Sequence, residues 1–148
     1  MVNATRTIDK LLITPASISA AGTASATYDV SGSHWVSIRI PLAARVNTSA
    51  VAPTVSVLMS DTDTASVYAT VTANRSESLA NAHELRYEID NKTGKKYLKV
   101  SITAATHTTN DLVTHGGVIV SLTRNKLDPA STTAMQASAD DAVVLASS

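Results

Sequence analysis

The side chains that could bind a metal ion are few in this 148-residue chain, and they are widely separated. The histidines lie in four different segments and show no spacing typical of metal ligands: His34, His83, His107 and His115. His107 and His115 flank one loop and could approach each other, although solvated loop residues are the simpler interpretation. Asp61 and Asp63 match the start of a calcium loop, but the glycine and the distal glutamate of that motif are missing. We therefore expect an ordinary turn there, and we predict no metal and no cofactor.

Signatures of catalysis are equally sparse. The sequence has no Gly-x-Ser-x-Gly motif, no phosphate-binding glycine loop and no His-Glu-x-x-His motif. It also has no cysteine, which excludes disulfides, thiolate zinc sites and a cysteine nucleophile. We expect that the protein is not an enzyme.

Trp35, the single tryptophan, is the residue best suited to recognition. It shares one face of a strand pattern with Ser37 and Arg39, and an outward tryptophan is typical of a sugar-stacking platform or of a protein interface. Tyr68 and Tyr97 also fall at outward positions of their runs, which leaves a carbohydrate-binding surface open. An equally simple interpretation is that Trp35 closes one end of the core.

The elements that would hold these residues are strands. Apolar residues recur at every second position, the period of a strand with one buried face, in runs at 34–42, 54–59, 66–73, 84–90, 97–103 and 118–123. Residues 8–13 and 24–30, separated by Pro15 and Gly22, are predicted as shorter strands. The run at 34–42 should end near Pro41, because proline cannot donate to a strand ladder. Residues 75–83 could form a turn or two of helix or a long loop. No long helix is predicted.

Two consecutive runs, 84–90 and 97–103, carry the pattern of a β-hairpin. Between them, Asn91 is suited to open a turn and Gly94 to adopt a positive φ. Arg86 and Glu88 would face Lys99 across the pair, and opposite charges at such positions hold the register. We predict that these two strands pair with each other.

The pattern as a whole predicts an all-β fold: a single β-sandwich or jelly-roll-like domain of about seven or eight strands with extended terminal arms. We divide the chain into an N-terminal strand or arm (1–14), the sandwich (15–127) and an acidic tail or arm rich in Ala, Ser and Thr (128–148). No run reaches the ~20 apolar residues of a membrane span. Twelve basic residues balance twelve acidic ones, so we expect no nucleic acid and no membrane partner.

Both chain ends are candidates for binding a partner. The tail contains Val143, Val144 and Leu145, yet too few apolar residues to form a core of its own. It is either disordered or an arm that orders on a neighbouring subunit. Ile8 and Leu11, near the start, could add a strand to a neighbour's sheet edge.

The strand 97–103, a Thr-rich loop, Gly116 and Gly117, the strand 118–122 and a basic end at Arg124 follow one another in the second half. Together with an earlier strand at 53–61, this order resembles small virion proteins of tailed bacteriophages, over about residues 35–124. The resemblance implies a cement or decoration protein: a β-sandwich, commonly a homotrimer, on the outer surface of the capsid. Such a protein is assembled in the host cytoplasm and ties neighbouring major capsid protein subunits together.

These observations lead to two hypotheses about function. The first is a structural virion protein that binds the outer surface of an icosahedral phage head, with contacts through Trp35, Arg39 and the apolar residues of both chain ends. The alternative is a carbohydrate-binding module of a phage tail, fibre or cell-surface protein that uses Trp35 and outward tyrosines.

Overall fold

A computed structural model describes residues 7–19, 22–44, 53–71, 75–76, 81–91, 93–104, 113–123 and 141–146. Two β-sheets account for nearly all the regular structure in these ranges. The strands of the first sheet are β1 (Thr7–Ile13), β2 (Ala16–Ile18), β4 (Trp35–Leu42), β8 (His83–Asp90), β10 (Val113–His115), β11 (Val118–Thr123) and β12 (Asp141–Ala146). The strands of the second are β3 (Thr23–Asp29), β5 (Thr54–Ser60), β6 (Ala69–Thr70), β7 (Arg75–Ser76) and β9 (Tyr97–Thr103).

The strands pair in a nested order that defines a jelly roll. β1 and β2 together form the first strand position of the jelly roll, and β10 and β11 together form the last. These two positions pair, since β1 lies beside β11 and the short β2 beside β10. Working inwards, β3 pairs with β9, β4 with β8, and β5 with both β6 and β7, always antiparallel. Eight positions result, four in each sheet, which is the double Greek-key arrangement. The predicted all-β sandwich is confirmed.

Alternation of apolar residues explains why these segments form strands that pack as two layers. In β4 every second residue is buried, and the same holds in β5, β9 and β11. The residues facing inwards include Val36, Ile38 and Ile40 of the first sheet and Val55, Val57 and Val100 of the second, all with no exposed surface. Each buried aliphatic side chain contributes about 1.5–3 kcal/mol to the free energy of folding. This core holds the two sheets face to face.

The predicted hairpin between residues 84–90 and 97–103 is wrong. β8 belongs to the first sheet and pairs with β4, whereas β9 belongs to the second sheet between β3 and β5. The chain crosses between sheets at Asn91, whose buried side-chain amide donates to the carbonyls of Ser33 and Lys95 at 3.1 and 2.9 Å. Gly94 does adopt a positive φ, 66°, in this connection. Lys99 consequently lies on the opposite side of the sandwich from Arg86 and Glu88.

β4 ends at Leu42, one residue beyond Pro41, as predicted for a strand that ends near this proline. Pro41 lies opposite Glu84 of β8. On the other side β10 and β11 are interrupted at Gly116, whose N–H donates to the Pro41 carbonyl at 2.8 Å. A Cβ at Gly116 would come within 3.1 Å of the Pro41 ring. The proline is accommodated because its neighbour is irregular there, as prolines inside sheets require.

The predicted strand at 66–73 is largely replaced by a turn. Residues Ala65–Val67 form a 3-10 turn, and only Ala69–Thr70 pair with β5. The Tyr68 hydroxyl donates to the Asp63 carboxylate at 2.8 Å and closes this turn on itself. Val67 is 49% exposed as a result, instead of facing the core. Of the region 75–83, for which a helix or a loop was expected, the described part contributes β7 and the start of β8.

Both terminal regions contribute strands to the first sheet of their own chain. β1 forms one edge beside β11, and β12 forms the other edge beside β8. Residues 1–6, 124–140 and 147–148, which include most of the predicted tail, lie outside the described ranges. In the described part of the chain, no helix is long and apolar enough to cross a membrane.

Candidate interaction surface

Three of the residues singled out in the sequence, Trp35, Arg39 and Leu11, lie on the outer face of the first sheet. Residues that alternate with the core point away from it, and the strand register sets them in rows across β1, β11, β4 and β8. One row contains Leu11, Ile119, Arg39 and Arg86; the next contains Asp9, Ser121, Ser37 and Glu88; a third contains Thr123, Trp35 and Asp90. We call this surface the first-sheet outer face.

Glu88 is the centre of this face. Although it points away from the core, it is only 1% exposed. Its carboxylate accepts hydrogen bonds from Trp35 Nε1 at 2.9 Å, Ser37 Oγ at 2.7 Å and Arg86 Nε at 2.7 Å. A buried carboxylate is costly unless it is paired and hydrogen-bonded, and these donors meet that condition. Hydrogen bonds to a charged group contribute about 1.5–3 kcal/mol each.

Trp35 is fixed by this cluster. Its indole N–H is used by Glu88, and its ring is half-buried rather than inserted between the sheets. Neither of the two simple expectations, a free platform or a plug in the core, describes it well. Trp35 is a rigid, partly exposed aromatic surface, a property common among residues that anchor protein interfaces.

Arg39 differs from Arg86, which lies directly opposite it on β8. Arg86 is paired with Glu88, whereas Arg39 has no hydrogen-bond or ion-pair partner within the described ranges. Like charges directly opposite each other destabilise a sheet. Arg39 is half-buried and lies opposite Ile119 of β11. Its charge is therefore not neutralised by any residue of the described ranges.

The two apolar residues predicted near the N-terminus are separated by the pleat of β1. Leu11 belongs to the first-sheet outer face and is 47% exposed. Ile8 lies opposite the inward residue Leu122 at the open rim of the core and is 39% exposed. Leu11 thus extends the surface around Ile119 and Arg39, while Ile8 borders it from the sheet edge.

The remaining predicted residues, Val143, Val144 and Leu145, occupy register positions on the same sheet. They belong to β12, where they lie opposite Tyr87, Glu88 and Ile89 in a parallel ladder. All seven residues proposed from the sequence as partner contacts therefore fall on one sheet, though on three different strands.

The part of the surface that sequence reasoning missed is the Glu88 cluster. Alternation correctly placed Glu88 outwards in β8, and nothing in a strand pattern distinguishes a buried outward carboxylate from an exposed one. Two of its hydrogen-bond donors, Trp35 and Ser37, lie 53 and 51 residues earlier in the chain. The signal that was available is the sequence Arg-x-Glu, since Arg86 and Glu88 share one face of the strand.

The tyrosines proposed for carbohydrate binding lie elsewhere. Tyr97 points outwards from β9 of the second sheet, and Lys99 Nζ of the same strand lies 5.9 Å from the centre of the Tyr68 ring. Desolvation and the hydrogen bond to Asp63 raise the pKa of Tyr68 to about 12, so its hydroxyl is a neutral donor at ordinary pH. Trp35 and these two tyrosines are on opposite sides of the sandwich and form no common platform.

Most other outward residues of the second sheet carry hydroxyl groups, with Leu58 as an exception. Its rows are Thr23, Thr103 and Thr54, then Ser25, Ser101 and Ser56, then Thr27, Lys99 and Leu58. The hydroxyls of Thr23 and Thr103 are 3.1 Å apart. We call this surface the second-sheet outer face.

The candidate metal ligands do not assemble into a site within the described ranges, which contain no group of three His, Asp or Glu suited to a metal. Asp61 accepts a hydrogen bond from Lys95 Nζ at 3.0 Å, so it belongs to a turn, as does Asp63. His115 is buried, and its Nδ1 accepts the N–H of Gly117 at 3.1 Å. Burial lowers the pKa of His115. His107, its suggested partner, lies outside the described residues.

Comparisons with known proteins identify the fold. No protein-family model and no curated protein matches the chain. The structure of infectious bursal disease virus Gx strain contains a chain that is similar with a TM-score of 0.56 and 12% identity, over 86% of this chain and 35% of that one. For a chain in the structure of the Gt strain of the same virus, the TM-score is 0.53 and the identity 10%, over 86% of this chain and 34% of that one. For a chain in the crystal structure of the infectious bursal disease virus VP2 subviral particle, the TM-score is 0.52 and the identity 12%, over 81% of this chain and 32% of that one.

The chain thus spans about a third of the length of these viral chains. At such low identity the likeness is one of fold: the same kind of β-sandwich occurs in viral capsid proteins.

Proposed function

We propose that the protein is a structural component of a virus particle. The observation that carries this proposal is its jelly roll, which is similar to chains in the structures of a virus and of a subviral particle. This fold is common among capsid proteins, because two packed sheets give a rigid block whose faces and edges are all available for contacts. Fold alone does not define function, so the surface must supply the second argument.

The more specific proposal is that the protein cements an icosahedral phage head from outside, as the resemblance to decoration proteins of tailed bacteriophages implies. A cement protein needs stable contacts with several major capsid protein subunits and requires no catalytic group. Assembly as a homotrimer would multiply its affinity, because linked contacts raise the effective concentration of each further one.

The first-sheet outer face supports this proposal as the contact surface. It combines an aromatic ring, a guanidinium without a partner in the described ranges, one exposed aliphatic group and one half-buried aliphatic group: Trp35, Arg39, Leu11 and Ile119. Tryptophan, tyrosine and arginine are the residues most enriched among those that dominate binding energy at protein interfaces. The second-sheet outer face is richer in Ser and Thr; its other outward residues include Tyr97, Leu58 and Lys99, whose ammonium lies near the Tyr68 ring.

A binding experiment with matched variants tests both the cementing role and the assignment of the contact surface. Heads assembled from the major capsid protein of the same virus would be mixed with the purified protein and sedimented. We expect the wild-type protein to sediment with the heads. Arg39→Ala should weaken binding about tenfold or more, and Lys99→Ala, which removes a cation from the other face, should leave it unchanged.

The possible results separate the two claims. If the wild-type protein does not bind heads, the cementing role is wrong. If it binds and the two alanine variants bind equally well, the role stands and the assignment of the contact surface is wrong. A cryo-electron microscopy map of intact particles would locate the bound protein directly.

A further inference from the structure

The last strand, β12, is added to a jelly roll that is complete without it. Residues 7–123 already supply strands for all eight positions of the fold. Within the described ranges β12 pairs only with β8, from Asp141 opposite Leu85 to Ala146 opposite Asp90. It is also the only strand of the described fold that pairs in parallel. The strand therefore covers an edge and leaves the order of the other strands unchanged.

Without β12, the outer edge of β8 would be uncovered. β8 is eight residues long and pairs with β4 on its other side. An uncovered strand edge of this length presents main-chain donors and acceptors that recruit any available strand. Main-chain pairing is independent of side chains, so the edge of β8 does not distinguish between β12 of its own chain and β12 of another copy.

The connection between β11 and β12 is long enough for β12 to pair with β8 of its own chain or with β8 of another copy. Thr123, at the end of β11, shares one row with Trp35, Asp90 and Ala146. β12 begins five residues from that row, about 17 Å along the sheet, and lies three strand spacings, about 14 Å, across it. The direct path from Thr123 to Asp141 is thus about 22 Å.

Residues 124–140 number 17, and a chain of that length can extend to about 56 Å. A domain of this size is about 40 Å across, so the connection can also reach the β8 edge of a copy lying alongside.

We propose that the edge of β8 is a strand-exchange site, which accepts residues 141–146 of a second copy in the same parallel register as its own. Exchange of an identical element between copies keeps every contact of the closed form. Concentration then decides between the two forms, since a strand tethered to its own domain acts at an effective concentration in the millimolar range. Dilute protein should be closed, and copies held side by side should exchange. The inference concerns the chain itself and does not rest on the proposed function.

Engineered cysteines provide a direct test, because the chain has none of its own. Asp90 and Ala146 are opposite each other in the β8–β12 ladder. One copy would carry only Asp90→Cys and the other only Ala146→Cys. The two would be refolded together at about 10 μM and about 1 mM, spanning the effective concentration, and then treated with a short thiol crosslinker.

We expect a crosslinked heterodimer whose yield rises at least tenfold between the two concentrations. Replacing the first copy with a Ser25→Cys variant, which carries an exposed thiol on the second-sheet outer face, measures random collisions. A single chain with both Asp90→Cys and Ala146→Cys confirms that the positions are close enough to react. A heterodimer yield no higher than the Ser25→Cys control at 1 mM, or no crosslink in the double variant, overturns the proposal.

Discussion

The two outer faces of the sandwich are built in opposite ways. On the first-sheet outer face, a buried carboxylate is held by donors from two strands, and an arginine lies unpaired beside apolar residues. On the second-sheet outer face, short hydroxyl side chains stand in rows. Hydroxyl groups of this kind can exchange hydrogen bonds with water at little cost, whereas a buried charge must be fully satisfied by the protein. The first face therefore has a specific structure that a mutation can break, and the second does not.

The largest effect is expected at Glu88. Glu88→Ala removes the acceptor shared by Trp35, Ser37 and Arg86 and leaves their polar groups without it. Since Arg86 is 31% exposed and can turn to solvent, we expect a loss of about 3 kcal/mol in the free energy of unfolding, below the upper range for a buried pair. Urea denaturation measures this loss.

Asp9→Ala is the matched control, because Asp9 lies in the same row of the same sheet and is exposed. It should change the free energy of unfolding by less than about 0.5 kcal/mol. Equal effects of the two substitutions would show that the cluster does not distinguish this face energetically.

The sequence was informative about which residues face the core and much less about which strands are neighbours. In β4, β5, β8, β9 and β11 the alternation identified the inward residues correctly, because each strand has one buried face. The same alternation contains no information about partners, and for that reason β8 and β9 were wrongly paired. A polar connection of six residues is compatible with a hairpin and equally with a crossing between sheets.

The candidate surface was predictable to a similar degree. Trp35 and Arg39 were placed outwards from their own strand alone, and the structure sets them on one face with Leu11. Two of the three hydrogen-bond donors to Glu88 lie more than 50 positions away, which no local pattern reveals. For β12, the tail composition suggested an arm and could not specify which edge it covers.

A second difference between the sheets is sensitivity to acid. Buried in the first sheet, His115 has a pKa below its ordinary value because burial disfavours the imidazolium. The unfolded chain then binds the proton more readily than the folded chain, so stability falls as the pH drops below about 6.5. The slope can reach about 1.4 kcal/mol per pH unit, until the folded protein also takes up the proton.

His115→Gln should flatten this dependence between pH 7 and pH 5 in urea denaturation measured across that range. His34→Gln replaces an exposed histidine and should retain the slope of the wild-type protein. If both variants keep the wild-type slope, the acid sensitivity comes from other groups and is not a property of the buried histidine.

The smallest effect on stability is expected on the second-sheet outer face. Thr103→Val removes one member of the hydroxyl pair with Thr23 and keeps the β-branched shape that strands favour. Because the Thr23 hydroxyl is exposed, water replaces the lost hydrogen bond, and the free energy of unfolding should change by less than about 0.5 kcal/mol. Ser37→Ala on the first sheet also removes one hydroxyl, but from a buried carboxylate, and should cost about 1.5 kcal/mol or more. If the two variants were equally stable in urea, the two faces would differ in composition and not in their contribution to the free energy of unfolding.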